Sequence, residues 1–383
     1  MSWTSWAQGR NAKAREKRRW RQLRELDVFG ARGTLHDGRR VVVFAANDYL
    51  GLSAHPEVMA AAHRAIDEWG TGAGASRLIT GSRPVHHELE ENLAQWKQTE
   101  AALVFPSGYS ANVGILSALA GPQVLICSDE LNHASIVDGC RLAASLGAKT
   151  ELYRHNDIEA LEGLLGSWAG RSVVVTDSVF SMDGDAAPLS ELASACARHG
   201  ALLLVDEAHA VLGPYFSGLP CEVLRIGTLS KALGSQGGFV ACSTEMAQML
   251  VNRCRSFIYT TALAPSSAAA ALAALRVLRS PEGASLLAQL EGYSRRLLPG
   301  RRLASPIVPL ITGSEEAALK ASEALLEMSL FVPAVRPPSV PPGTSRLRVS
   351  LSAAHTDDEV ELLVKSLVQL DLLPVGTPSA RLL

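Results

Sequence analysis

Residues 171–209 read RSVVVTDSVFSMDGDAAPLSELASACARHGALLLVDEAH. Val173–Thr176 is a short β-branched run, as expected of a strand buried on both faces. A polar loop follows, then a helical stretch over Leu189–Arg198, then an apolar run at Leu202–Val205. Strand, helix and strand in this order form a parallel crossover unit. The pattern extends both ways. Ala101–Phe105, Val124–Cys127, Thr150–Tyr153 and Val223–Ile226 are similar runs, and Ile136–Leu146 and Ile158–Leu165 are helical stretches among them. Short continuous strands alternating with helices predict an α/β architecture, a mostly parallel central sheet covered on both faces. Upstream, Val85, Leu89, Leu93 and Trp96 recur at helical spacing behind Ser82-Arg83-Pro84, a helix start.

Past Leu263 the pattern changes. A long helical region runs to about Leu298, broken near Pro281-Glu282-Gly283. Then come strand Ile307–Ile311, helix Glu315–Met328, strand Leu330–Val335, a Pro-rich turn at Pro337–Pro342, strand Arg346–Leu351 and helix Asp357–Leu370. This predicts a smaller C-terminal α+β domain. The expected division is 1–45 as an N-terminal helix and segment packing on the small domain, 46–280 as the large α/β domain, and 281–383 as the small one. Arg10–Arg24 holds eight basic residues interrupted by Glu16. It reads as a solvated or docking helix with Trp20 and Leu23 on its buried side, or one that also lends an Arg to a substrate. It has no apolar core of a secretory signal, and its acid-poor character fits a mitochondrial presequence only weakly.

Composition narrows the function. Among 383 residues, 36 Lys and Arg face 38 Asp and Glu, a net charge of -2, which argues against an electrostatic nucleic-acid binder. With 47% hydrophobic residues the chain can bury a sizeable core. No apolar run reaches the ~18 residues of a membrane helix; the Ala-rich stretch Ala268–Leu275 stops at Arg276. Six cysteines, none in a C-x-x-C pair, read as core thiols of a reducing, cytoplasmic compartment. Cysteines and histidines show no zinc spacing, so no metal is expected.

Ligands in open α/β sheets sit beyond the carboxyl ends of the strands, so the chemistry is sought there. Strand Ala201–Val205 ends in Asp206-Glu207-Ala208-His209. Asp206 could hold a heteroaromatic nitrogen protonated, bind magnesium as in a helicase, or cap a strand-to-loop turn. The helicase reading needs a Gly-Lys phosphate loop, and the chain has no Gly-Lys dipeptide. Val223–Ile226 leads through Thr228 to Lys231, either solvated or a Schiff-base amine with its pKa lowered by burial. Ala101–Phe105 opens into Ser107-Gly108-Tyr109 and a helix N-terminus, an anion site or an ordinary cap. His133 follows the next strand, where a flat ring can stack on a flat cofactor. Ser181 follows the fourth. Gly70-Thr71-Gly72-Ala73-Gly74-Ala75 mimics a dinucleotide fingerprint but follows a helical segment, which is the wrong context. There is no G-x-S-x-G elbow. Taken together, a phosphate cradle, a stacking His, a buried Asp and a Lys describe one ligand: a phosphorylated, protonated pyridine aldehyde held through an imine, pyridoxal 5'-phosphate (PLP).

At this combination the sequence resembles the α-oxoamine synthases, fold-type-I PLP-dependent transferases. The motifs that carry the resemblance are Asn47-Asp48-Tyr49-Leu50-Gly51-Leu52, Gly74-Ala75-Ser76-Arg77-Leu78, Ser107-Gly108-Tyr109, Asn132-His133-Ala134-Ser135, Phe180-Ser181-Met182-Asp183-Gly184-Asp185, Asp206-Glu207-Ala208-His209, Thr228-Leu229-Ser230-Lys231 and Arg346-Leu347-Arg348-Val349-Ser350. The resemblance covers nearly the whole chain. It implies a homodimer with the active site at the subunit interface. It also implies that Lys231 forms the imine and later moves the Cα proton, that Asp206 pairs with the pyridine nitrogen, and that His133 stacks on the ring. Ser181 and His209 would face the ring hydroxyl; Gly108, Tyr109 and Thr228 would help hold the cofactor, and Thr261 would reach the partner subunit's phosphate. Arg348 would clamp the amino-acid carboxylate with Asn47 and Ser352 nearby, and Arg21 would meet the acyl-CoA. The implied reaction is a decarboxylating condensation of an amino acid with an acyl thioester. L-Alanine with pimeloyl-CoA or a pimeloyl-carrier protein is the expected pair; glycine or serine with another acyl-CoA is the sister reaction, and a non-catalytic subunit would lack Lys231. Ala210 after His209 and the short stretch from there to Lys231 depart from the family pattern, as does Asp177, where relatives often carry Glu.

Overall fold

A computed structural model describes residues 2–16, 20–21, 23–300 and 303–373. Its first strands form an antiparallel meander: β1 Leu26–Phe29, β2 Arg32–Leu35 and β3 Arg40–Val43. Gly30 (φ 61°) and Gly38 (φ 86°) supply the left-handed residues its two tight turns require. Before the meander, the helix spans Trp3–Glu16 rather than Arg10–Arg24, and none of its residues is buried. Leu23 is fully exposed, contrary to the sequence reading, and Trp20 is half-buried under the Arg15 guanidinium, 4.1 Å from its ring. Leu23 lies beyond that helix, so no helix face carries it inward.

The expected runs become the central sheet: β4 Ala101–Phe105, β5 Val124–Asp129, β6 Lys149–Tyr153, β7 Arg171–Asp177, β8 Leu202–Asp206 and β9 Val223–Thr228. A seventh strand, β10 Gly238–Cys242, was not foreseen. The order is β4-β10-β9-β8-β7-β5-β6, and only β10 runs antiparallel. The link Leu229–Gly237 is shorter than the roughly dozen residues of a parallel crossover, so the chain turns straight back. Alternate residues serve opposite faces. Leu103 and Phe105 pack with helices Gly108–Leu119, Ala134–Ser145 and Thr244–Arg253. Ala102 and Val104 pack under helices Pro84–Lys97 and Pro265–Leu278, while Leu203 and Val205 meet Leu189–His199 on that same face.

Toward the C-terminus, helix Pro281–Leu297 leads to β11 Ile307–Gly313. The expected strand Leu330–Val335 is two short ones, β12 Leu330–Phe331 and β13 Ala334–Val335. β12 extends the N-terminal meander beside β3, whereas β13 joins β14 Ser345–Ser350. The chain changes sheets at Val332-Pro333, where proline has no N–H to give a ladder. β14 is buried along its whole length and pairs with β11. One apolar core runs from Val104 and Phe239 through Leu290 and Tyr293 to Leu347, Val360 and Leu363, which fixes β14 against the large sheet. Among the described residues no helix is long and apolar enough to cross a membrane, and no cluster of side chains suits a metal ion.

Candidate active site

Two parallel strands set the centre. β8 ends on Asp206, 5% exposed, and β9 leads to Lys231, half-buried. A carboxylate at the end of an apolar strand needs partners. Asp206 Oδ2 accepts the Asn112 amide at 2.6 Å, and Oδ1 accepts the Ala208 N–H at 2.9 Å. Asn112 stands one turn into helix Gly108–Leu119 and also donates to Ser135 Oγ at 2.9 Å. Ser135 Oγ in turn lies 2.7 Å from His133 Nδ1, and the His133 N–H donates to Asp177 at 2.7 Å. Three neighbouring strand ends are thus tied through one amide. Asn112 is the residue sequence reading passed over; its signal was the i, i+4 spacing from Gly108 on the cradle's own helix.

Lys231 Nζ lies 3.0 Å from His209 Nε2, and His209 Nδ1 lies 2.6 Å from the Tyr49 hydroxyl. Tyr49 donates to Asn47 Oδ1 at 3.1 Å, so its oxygen accepts from His209 Nδ1–H. Nε2 is then the acceptor of the Lys231 amine. Asn47 Oδ1 also takes both terminal nitrogens of Arg348, each at 3.3 Å. Donors therefore run in one direction from Lys231 through His209 and Tyr49 to Asn47 Oδ1, which Arg348 meets from the other side as a second donor. Burial lowers the Lys231 pKa, opposed by Asp206 and Asp177. Burial and the charges of Lys231 and Arg348 hold His209 well below its ordinary value, so it is neutral. Tyr49 was quoted in a motif without a role; its full burial is a tertiary fact no local pattern carries.

Arg348 is 6% exposed and comes from β14. Its Nε donates to the Ser181 carbonyl at 2.6 Å, and NH1 donates to Ser350 Oγ at 2.8 Å. Among the described residues it has no carboxylate partner. Ser352, expected near the substrate, gives its hydroxyl to the Asp48 carbonyl at 2.6 Å and so braces the Asn47–Tyr49 turn.

The third wall is the helix N-terminus after β4. Ser107 caps it by accepting the Ser110 N–H, and a Cβ on Gly108 would stand 3.5 Å from Thr228 Cβ. A Cβ on Gly238 would meet the Gly108 nitrogen at 2.4 Å, so two glycines keep this corner clear. Thr228 Oγ1 lies 2.6 Å from Ser230 Oγ. The N-terminal helix dipole, free N–H groups and two hydroxyls suit a phosphate. Tyr109 is exposed, meets His133 edge-on at 6.4 Å and donates to Asp138. Thr261 is exposed on the turn whose Ala262 N–H bonds Ala75, and no hydrogen bond ties it to the Lys231 cluster within the chain. Arg21 is also exposed; it lines a cavity of about 680 Å³ with Trp20, Met182 and Ala334–Ser339, beside the Ser181 turn.

A lysine, a buried aspartate, a helix N-terminus flanked by hydroxyls and a buried arginine with no carboxylate partner among the described residues converge beyond the carboxyl ends of the strands. The model of the family "Aminotransferase class I and II" matches residues 39–367. The 8-amino-7-oxononanoate synthase of Anaeromyxobacter dehalogenans strain 2CP-1 is 48% identical over 386 residues, covering 93% of this chain and 96% of that one. Serine palmitoyltransferase of S. paucimobilis, solved with bound PLP–myriocin, superposes with a TM-score of 0.85 at 30% identity, covering 95% of this chain and 97% of that one. The 8-amino-7-oxononanoate synthase of Francisella tularensis gives a TM-score of 0.70 at 27% identity, over 87% and 99% of the two chains. The chain belongs to the aminotransferase class I and II family of fold-type-I transferases and, within it, to the 8-amino-7-oxononanoate synthases.

Proposed function

We propose that the chain condenses L-alanine with a pimeloyl thioester, releasing CoA and CO2 and giving 8-amino-7-oxononanoate for biotin synthesis. The observation that carries this is Lys231, hydrogen-bonded to His209 and interacting electrostatically with buried Asp206, with a buried Arg348 that has no carboxylate partner among the described residues. The relatives' names supply the product.

The cradle of Gly108, Tyr109 and Thr228 fits the phosphate of PLP, Asp206 its ring nitrogen, and His133 a ring face. Thr261, exposed, would reach a partner subunit's phosphate in a homodimer. When bound, PLP supplies a protonated pyridine that stabilises negative charge at the amino acid's Cα. The chain's own groups do the rest. Lys231 would hold the cofactor aldehyde, and burial, which lowers its pKa, suits its amine to act as the base toward a Cα proton. Neutral His209 accepts a hydrogen bond from that amine and orients it. Asp206, fixed by the two hydrogen bonds it accepts, would face the ring nitrogen of the cofactor. Arg348 takes the carboxylate in its planar fork, Asn47 aims the fork, and Ser352 steadies Asn47 through the Asp48 carbonyl. Arg21, which lines the adjoining cavity, would meet the acyl thioester. Residues 1–45, 46–280 and 281–383 then act as entry segment, cofactor domain and carboxylate-clamp domain, in a cytoplasmic enzyme whose six thiols stay reduced.

The test is CoA and CO2 release by the PLP-loaded protein with L-alanine, glycine or L-serine against pimeloyl-, acetyl- or palmitoyl-CoA. Turnover with alanine and pimeloyl-CoA alone is expected. Preference for another pair refutes the biotin assignment and moves the chain to a sister condensation.

A further inference from the structure

Beside the site lies a histidine the mechanism does not use. His155 follows β6 in Arg154-His155-Asn156-Asp157 and sits between two carboxylates. Its Nδ1 lies 3.1 Å from Asp129 Oδ1, and its Nε2 lies 2.8 Å from Asp185 Oδ2. Asp129 is buried at the end of β5, four residues before His133; Asp185 closes the turn that starts at Phe180. The ring also meets Phe180 edge-on at 4.3 Å. The other groups facing it are the Asn156 amide, 3.1 Å from Nε2, and Glu130, which accepts the His155 N–H at 3.1 Å. Burial pulls the imidazole pKa down, but hydrogen bonds and charge from Asp129 and Asp185 outweigh it and raise the value to about 10. The ring is a cation holding two anions together.

What those anions belong to gives the contact its meaning. The turn closes on itself through Phe180 N–H to the Asp185 carbonyl at 3.0 Å and Gly184 N–H to the Phe180 carbonyl at 2.7 Å. Its far side fastens the substrate end of the site: the Ser181 carbonyl accepts Arg348 Nε, and Asp183 pairs with Arg346 at 2.5 Å. We propose that His155 is a positioning residue for amino-acid binding: pinned between Asp129 and Asp185, it fixes the Phe180–Asp185 turn, whose Ser181 carbonyl aims the Arg348 fork. The proposal rests on the reading of Arg348 as the carboxylate clamp. It predicts that loosening a turn on one side of the sheet edge weakens a guanidinium held on the other.

The test uses the PLP-loaded enzyme. His155→Ala and the milder Asp185→Asn, which keeps the side chain's shape, are compared with wild type by absorbance titration with L-alanine and by hydrogen exchange over residues 178–187. His155→Ala is expected to raise the L-alanine midpoint about tenfold, Asp185→Asn by a few fold, with KM for the acyl thioester unchanged. Exchange at the Phe180 and Gly184 amides should quicken in both. His155→Gln, which can still donate to one carboxylate, should recover part of the affinity. A purely structural role would lower the unfolding midpoint and leave the alanine midpoint where it is; unchanged alanine midpoints in folded Asp185→Asn and His155→Ala overturn the proposal. A wild-type enzyme that responds to none of L-alanine, glycine and L-serine overturns the carboxylate reading itself. That failure is told apart because the wild type, not the variant, is then silent.

Discussion

Replacing Tyr49 by Phe removes one oxygen from the middle of the chain Lys231–His209–Tyr49–Asn47–Arg348. The ring is 0% exposed and stays packed, so no cavity opens. The hydroxyl, however, both accepts from His209 Nδ1 at 2.6 Å and donates to Asn47 at 3.1 Å. Asn47 Oδ1 keeps its two contacts with Arg348, but His209 Nδ1–H, at a residue 5% exposed, loses its only acceptor among the described residues. Moving the imidazole proton to Nε2 does not help, because Nδ1 is then a bare buried acceptor. Either tautomer leaves one buried polar atom unpaired, which costs about 1–3 kcal/mol. Urea unfolding of the cofactor-free protein measures the loss as a fall in midpoint at constant slope. Burial pushes the Tyr49 pKa up to about 12, so the hydroxyl keeps its proton at neutral pH. A pKa raised in the folded state stabilises below its unfolded value and is lost as pH rises through the folded one. The gap between wild type and Tyr49→Phe should therefore be flat through neutral pH and narrow toward pH 12. A loss below about 0.5 kcal/mol, within the range of an inconsequential surface change, refutes the directed chain.

Lys231→Ala should purify without an imine absorbance; a normal yellow protein would remove Lys231 from its role. Arg348→Lys keeps the cation but loses the fork, and the L-alanine midpoint should rise at least about tenfold while cofactor absorbance persists, as an Arg-to-Lys change at a bidentate site is not conservative. Glu207→Gln strips the anion from between Lys97 and Arg225, all largely buried, and should cost about 3–5 kcal/mol in urea unfolding. Burial raises the Glu207 pKa, but Lys97 and Arg225 outweigh it and hold the carboxyl below its usual value. Its stabilisation is thus complete above the ordinary carboxylate range and lost as pH falls through the folded value; the variant should lack that part of the acid limb, and an unchanged acid profile would count against the triad.

The strands and their carboxyl ends were legible because each leaves a local mark: an apolar run closed by Asp206, Lys231 or His133. β10 left no such mark, since its partners β4 and β9 lie far off in sequence and its direction follows from a short link. The break at Val332-Pro333 was visible as a proline but not as a change of sheet. Leu23 misled because an apolar residue in a basic segment invites a helix face, and the fold gives it nothing to pack on. Asn112, Tyr49 and His155 escaped for one reason. Each earns its place through partners 94, 160 and 30 positions away, and no periodicity encodes such pairings.

The strand β14 shows best what the site is built to do. Arg346 and Arg348 stand two apart, so they share a face, and both reach the Ser181–Asp183 turn. Arg346 has its carboxylate there, Asp183 at 2.5 Å. Elsewhere Arg77 has Glu90 at 2.7 Å and Arg225 has Glu207 at 2.5 Å. Among the described residues, Arg348 has only the neutral oxygens of Ser181, Ser350 and Asn47. Burying a guanidinium without an anion costs free energy that a carboxylate neighbour would remove, and the turn offers one two residues from Ser181. Stability alone therefore argues for pairing Arg348 as Arg346 is paired. Leaving it unpaired keeps an electrostatic demand that an arriving carboxylate meets, at the end of a hydrogen-bonded chain leading to Lys231. On the proposed reading the same chain orients the fork and the amine together, so binding the acid group would set the geometry at the reacting carbon.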